Sequence, residues 1–416
     1  MQQTEATLTA APVPSTEKNG GLYPPMEILQ KQKKSQPKRR HWLGAAGWFL
    51  MVAVLTIAFM EPRSLDKVWG DWIFYLGLAL IFLTISIPIN IILHEVGHML
   101  AGLFCGMRLL VLSVGRWRFE RSVQGFRLRR ATPIAGISGL AMMVPDVTHT
   151  RASPKRDHVI IFLGGPVMNL ACAALALVAA YALSLHLIVN VFLYTFGAMA
   201  LFVGVLNLMP LKIQNWRTDG LQIIDVFRHK EDILMQNIQY LSGLALTGIR
   251  ARQWPPELIP QEQVAGDGAL PFFTRISAQN ARLIYALDCD DEKMARPCVE
   301  WLAKHFDQIP DGLRQLVAVL IASYAAQMCG DKDLLAAWRP WCDGGLTDTG
   351  AVCHWLDAEL AWLNGDALKA RKYIQQAQAA MSTVMSRVDQ QMLEESLSSL
   401  QLRMRGGHQE ICHTGS

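Results

Sequence analysis

Residues 72 to 104 read WIFYLGLALIFLTISIPINIILHEVGHMLAGLF, and this stretch decides the architecture. Its single charged side chain is Glu95, flanked by His94 and His98. A helix of this length runs to about 50 Å at 1.5 Å per residue, longer than a hydrocarbon core of about 30 Å. The stretch therefore predicts a transmembrane helix that tilts, bends or protrudes, with Pro88 as the place to bend. A carboxylate and two imidazoles inside such a span cost free energy unless they are paired or metal-bound, so the default reading is functional, with a satisfied polar core as the bland alternative.

His94-Glu95-Val96-Gly97-His98 is an HExxH. On a helix, positions i and i+4 share a face, so both imidazoles can reach one Zn²⁺ while Glu95 lies beside the metal's open position. Zinc brings its bound water to a pKa of about 7, and Glu95 is the candidate general base that takes the proton and passes it to a departing amine. Catalytic zinc commonly has three protein ligands, so a third is required from elsewhere in the chain.

Working outward, Trp42 to Met60, His158 to Leu185 and Leu187 to Met209 are three further apolar runs, making four expected spans. Ten basic residues lie between Arg108 and Arg156, whereas Glu61 to Asp71 holds only Arg63 and Lys67. The positive-inside rule then places that segment and both termini in the cytoplasm, and the expected location of this integral, multi-pass protein is a bacterial inner membrane. Leu109 to Phe119, Phe126 to Arg130 and Ile134 to Val144 alternate as strands, with a turn at Gln124-Gly125, and predict a small sheet at the cytoplasmic face. The last strand is apolar enough to dip toward the membrane.

Composition agrees with this division. Of the 416 residues, 51% are hydrophobic and 18% charged. Up to residue 224 there are 21 basic and 11 acidic residues, and beyond it 18 basic and 24 acidic. A basic membrane half thus precedes an acidic half, which disfavours nucleic acid as a partner. Eight scattered cysteines without a CxxC pair disfavour a structural zinc cluster and a secreted disulfide framework. The expected domains are a disordered basic tail over 1–41, a membrane domain over 42–228 with a β-rich segment over 106–146, and a helical cytoplasmic domain over 229–416.

The third expected span opens Gly164-Gly165-Pro166-Val167-Met168-Asn169, and the fourth ends Asn207-Leu208-Met209-Pro210 ahead of Asp219-Gly220. Taken with the HExxH, these elements resemble the site-2 protease family of intramembrane zinc metalloproteases over about Trp72 to Val226. The resemblance implies three core spans and one zinc ion held by His94, His98 and Asp219, with Glu95 activating water. It also implies cleavage of a membrane-spanning protein substrate in or near its transmembrane segment. Asn169, Asn207 and Pro210 are candidates for substrate contact or structural support. The family is similar in placing a sheet after its first core helix; here Ile137 to Val144 offers an edge to an extended substrate, with a merely structural hairpin as the alternative. One departure is the eight-residue insertion Leu211 to Thr218 between the proline and the aspartate. Lys212 and Arg217 within it would favour an ionised Asp219, and Asp225 and His229 are fallback ligands.

Beyond Glu231 the pattern is helical, with Gly330-Asp331 and Gly365-Asp366 as turn residues about 35 apart. Stacked hairpins of tetratricopeptide type and an ordinary all-α domain both fit, and either suits docking of a protein partner. Two rivals to a protease remain from the sequence: a catalytically silent membrane scaffold of the same fold, and a transporter whose buried polar groups bind a translocated ion.

Overall fold

The computed structural model of the protein describes residues 21–25, 69–133, 138–148, 154–183, 185–213, 216–228, 233–262 and 270–413. The quoted stretch forms one helix, α1 (Trp69–Phe104), which continues through Pro88. After the sheet come α2 (Pro154–Ala182) and α3 (Leu187–Leu208), and the three helices pack on one another pairwise. Large apolar side chains point outward from all three, among them Ile81, Ile92 and Leu100 on α1, Leu175 and Val178 on α2 and Val205 on α3. An exposed apolar belt of this extent matches lipid rather than water. All three helices are long and apolar enough to cross a membrane. The expected span Trp42 to Met60 lies outside the described residues.

A fourth helix also has the length and composition of a span, Asp311–Cys329, and the sequence reading did not include it. It consists of α8 (Asp311–Tyr324) extended by a π-helical turn (Ala325–Cys329). Half of its residues are buried inside the protein, against 22–28% for the other three. Val317, Ala318, Ile321 and Ala322 have no exposure at all, and buried Gln315 donates to the carbonyls of Cys342 and Thr347. Protein consumes its apolar surface, which makes α8 a core helix of the C-terminal part.

Between α1 and α2 lie β1 (Met107–Val114), β2 (Trp117–Ser122), β3 (Gly125–Arg130) and β4 (Gly139–Pro145), an antiparallel sheet of order β3-β2-β1-β4. The single strand expected over Leu109 to Phe119 is in fact two. Gly115, at φ 55°, supplies a left-handed turn residue and the chain reverses, so the alternation on either side belongs to paired strands, Val114 opposite Trp117. Of the strand expected over Ile134 to Val144, residues 134–137 lie outside the described residues and the remainder is β4. A bulge between Leu109 and Val111 lets consecutive residues Leu110 and Val111 both enter the core with Val144.

The chain then forms the short pair β5 (Lys212–Ile213) and β6 (Trp216–Arg217), α4 (Asp219–Arg228) and α5 (Ile233–Leu246). The C-terminal part is α6 (Phe272–Asp288), α7 (Glu292–Lys304), α8, α9 (Lys332–Trp338), α10 (Gly350–Leu363), α11 (Ala367–Ala379) and α12 (Arg387–His413). The two Gly-Asp pairs act as turns for a stated reason. Gly330 and Gly365 take left-handed φ of 58° and 80° after a helix, and Asp331 and Asp366 accept backbone N–H groups at the start of α9 and α11. This part is joined to the sheet. Arg127 of β3 pairs with buried Glu120 at 2.6 Å and with Asp348, and the Val123 N–H donates to the Val384 carbonyl.

Candidate metal centre

The i, i+4 spacing on α1 brings the His94 and His98 rings to a centroid separation of 4.7 Å. Their Nε2 atoms are 3.1 Å apart. Asp219 Oδ2 lies 3.1 Å from His94 Nε2 and 3.5 Å from His98 Nε2. A tetrahedral zinc with bonds of about 2.0–2.1 Å holds its ligand atoms about 3.3 Å apart, so the three atoms stand where such an ion needs them. Among the described residues these three form one group able to hold a metal. All are largely buried, with side-chain exposures of 9, 12 and 10%.

Two of the three candidate ligands, His98 and Asp219, are positioned by separate devices. His98 Nδ1 donates to the Ile161 carbonyl of α2 at 2.7 Å, which orients the ring and leaves the Nε2 lone pair for a metal. His94 Nδ1 is buried without a hydrogen-bond partner among the described residues. Asp219 is the first residue of α4, and the insertion ahead of it is the β5–β6 hairpin. Thr218 closes the base of that hairpin: its hydroxyl donates to Met209 O at 2.6 Å and accepts the Leu211 N–H at 3.0 Å, while its own N–H donates to Leu211 O. The long connection therefore leaves and returns at nearly the same point. Gly220 completes the placement, since a Cβ there would overlap the Leu208 carbonyl at the end of α3.

The helices approach closely where the ligands sit. A Cβ at Gly164 would meet Ala101 at 2.6 Å, and one at Gly165 would come within 2.5 Å of His98 Nε2 and 2.7 Å of His94 Cε1. Gly165 thus leaves the space in which an ion would be held, and the donor set fits zinc. Glu95, 7% exposed, faces β4, where its carboxylate leaves no room for a side chain at Gly139.

The remaining candidates separate cleanly. Asp225 pairs with Arg217 at 2.6 Å and stands apart from the group, while His229 lies outside the described residues. Arg217 therefore serves Asp225 rather than Asp219, contrary to expectation. The His94 and His98 rings are what lie against the Asp219 carboxylate. Asn169 is fully buried on α2, one turn beyond Gly165 and on the same face, and neither amide atom has a partner among the described residues. The interhelical hydrogen bond weighed for it does not form with them. Asn207 donates to Val203 O one turn back at 3.0 Å, and Pro210 follows the end of α3, so both shape the helix terminus. Sequence reasoning missed Thr218, whose local signal was only a threonine ahead of Asp-Gly, and the Ile161 carbonyl, which no side-chain pattern marks.

Comparison with known proteins bears on these residues directly. Residues 82–188 match Peptidase family M50. That is the site-2 protease family to which the motifs pointed. The M50 segment runs from the middle of α1 through the sheet to the start of α3, holding His94, Glu95, His98, Gly165 and Asn169. It covers about a quarter of the chain and ends before Asp219, so the third ligand rests on geometry. No curated protein and no solved structure matches the chain.

Proposed function

We propose that the protein is an intramembrane zinc metalloendopeptidase that hydrolyses peptide bonds in or near the transmembrane segments of membrane-bound protein substrates. One observation carries this reading: His94, His98 and Asp219 set three donor atoms 3.1–3.5 Å apart beside Glu95, on a helix apolar enough to lie in a bilayer. The basic sheet segment is in keeping with cytoplasmic termini, and we place the protein in a bacterial inner membrane as part of this reading. The acidic balance beyond residue 224 speaks against nucleic acid as a partner.

His94, His98 and Asp219 would hold the zinc, which when bound supplies Lewis acidity toward a peptide carbonyl and an acidified water. Glu95 takes the proton of the attacking water and delivers it to the departing amine, a task for which its position beside the histidines is suited. Asn169, buried with both amide atoms unpartnered among the described residues, is available to orient water or substrate backbone on the same face. A transmembrane helix hides its own carbonyls, so substrates are expected to carry helix-weakening residues near the cytoplasmic side. We read the C-terminal helices as a tetratricopeptide-like domain that docks a protein partner.

Purified protein in detergent should hold about one zinc and cleave such a substrate. Glu95→Gln should retain the zinc and lose at least about 100-fold in rate, the usual contribution of a general base. Full cleavage by that variant would reject the mechanism, and zinc without cleavage in the wild type would leave the scaffold reading.

A further inference from the structure

Far along the chain from the histidines, residues 21–25 (Gly-Leu-Tyr-Pro-Pro) are packed into the C-terminal helices. Leu22 is 4% exposed and shares one apolar core with Leu302 and Phe306 and with Leu334 and Trp338 of α9. The Trp338 indole N–H donates to the Leu22 carbonyl at 2.7 Å, a buried bond across 316 positions. Gly21 lies against Glu300 of α7, and Pro24 is buried. Tyr23 packs on the same core, where burial and then the Asp331 and Asp333 carboxylates push its phenol above the ordinary value.

This is the chemistry of peptide recognition. One aliphatic side chain fills a pocket, and the polar contact goes to a backbone carbonyl, which any peptide possesses. Two prolines follow that have no N–H to satisfy and are already restricted in φ, so little chain entropy is lost on seating them.

We propose that α7 and α9 form a groove for a Leu-aromatic-Pro-Pro peptide bent at its first two residues. The chain's own residues 21–25 are its resident ligand, displaceable by a partner protein presenting the same motif. A tethered ligand meets its groove at an effective concentration of about 1 mM. With an intrinsic Kd of about 10 μM, the resident would fill the groove about 99% of the time and weaken a competitor's apparent affinity about 100-fold. The inference goes beyond the protease reading and stands or falls without it, since its test reads binding.

The probe is a fluorescent peptide of residues 18–28, titrated into the full chain in detergent. Leu22→Asp, whose own segment cannot seat, should bind the peptide about 100-fold more tightly than the wild type does. Adding Trp338→Phe, which keeps a smaller aromatic ring but removes the donor, should weaken that binding by at least about fivefold. A Leu22→Asp chain with unchanged melting that ignores the peptide overturns the proposal. Should Leu22→Asp fail to fold, a site-specific protease site inserted after residue 30 of the wild-type chain decides. After cutting, exchange of the resident fragment for labelled peptide within hours upholds the groove, and a fragment that stays bound without exchange shows permanent core and overturns it.

Discussion

Replacing Gly165 by alanine sets two opposed effects against each other. In an ordinary helix interior the change would stabilise by about 1 kcal/mol. Here the new Cβ would stand 2.5 Å from His98 Nε2, 2.7 Å from His94 Cε1 and 2.8 Å from His94 Nε2. Ordinary contact needs about 3.5 Å, so the imidazoles must retreat by up to about 1 Å, whereas zinc-ligand distances tolerate only about 0.2 Å. The neighbouring backbone cannot absorb the shift, because Gly97 and Gly164 already bring α1 and α2 into contact. Zinc affinity should therefore fall at least about 100-fold, the upper range seen when ligand orientation is disturbed. The assay is a chelator competition titration with metal content measured alongside. Gly77→Ala, on α1 with nothing within 4 Å of its Cβ, is the control and should leave affinity unchanged. Wild-type zinc affinity in Gly165→Ala would refute the placement of α2 over the histidines.

Three further outcomes are expected. Asp219→Asn should weaken zinc binding by more than about tenfold, an amide being a poorer ligand than a carboxylate, and metal titration checks it. Thr218→Val removes the hydroxyl that joins Met209 and Leu211, at about 1–2 kcal/mol, and hydrogen exchange at Leu211 should accelerate while α3 stays protected. Asp348 is held below the ordinary carboxylate value: burial opposes this, but the Gly350 N–H and Arg127 prevail. Its stabilisation is accordingly full above about pH 4, the unfolded value, and is lost as pH falls through the lower folded one. Melting temperatures below pH 4 should depend on pH less steeply in Asp348→Asn than in wild type.

What the sequence made legible was local. The HExxH needs only a helix to bring its imidazoles together, and the apolar lengths of α1, α2 and α3 follow from hydropathy. The Gly-Asp pairs were legible as turns because a left-handed glycine followed by a capping aspartate is complete within a few residues. The rest depended on contacts across the chain. Gly115 divides an apparent strand because alternation is the same on both arms of a hairpin, and only the reversal tells them apart. The helix from Asp311 to Cys329 is as apolar as a modest span, and its burial becomes visible only once its neighbours are packed around it. That the insertion before Asp219 is a hairpin depends on one threonine hydroxyl spanning its base.

That closed base gives the molecule an engineering handle. Since Thr218 fixes the exit and return of the β5–β6 hairpin, residues inserted between Ile213 and Trp216 should lengthen an appendage without levering Asp219 away from the histidines. A spectroscopic tag or affinity epitope placed there would sit a short way from the candidate metal centre and report on what binds it.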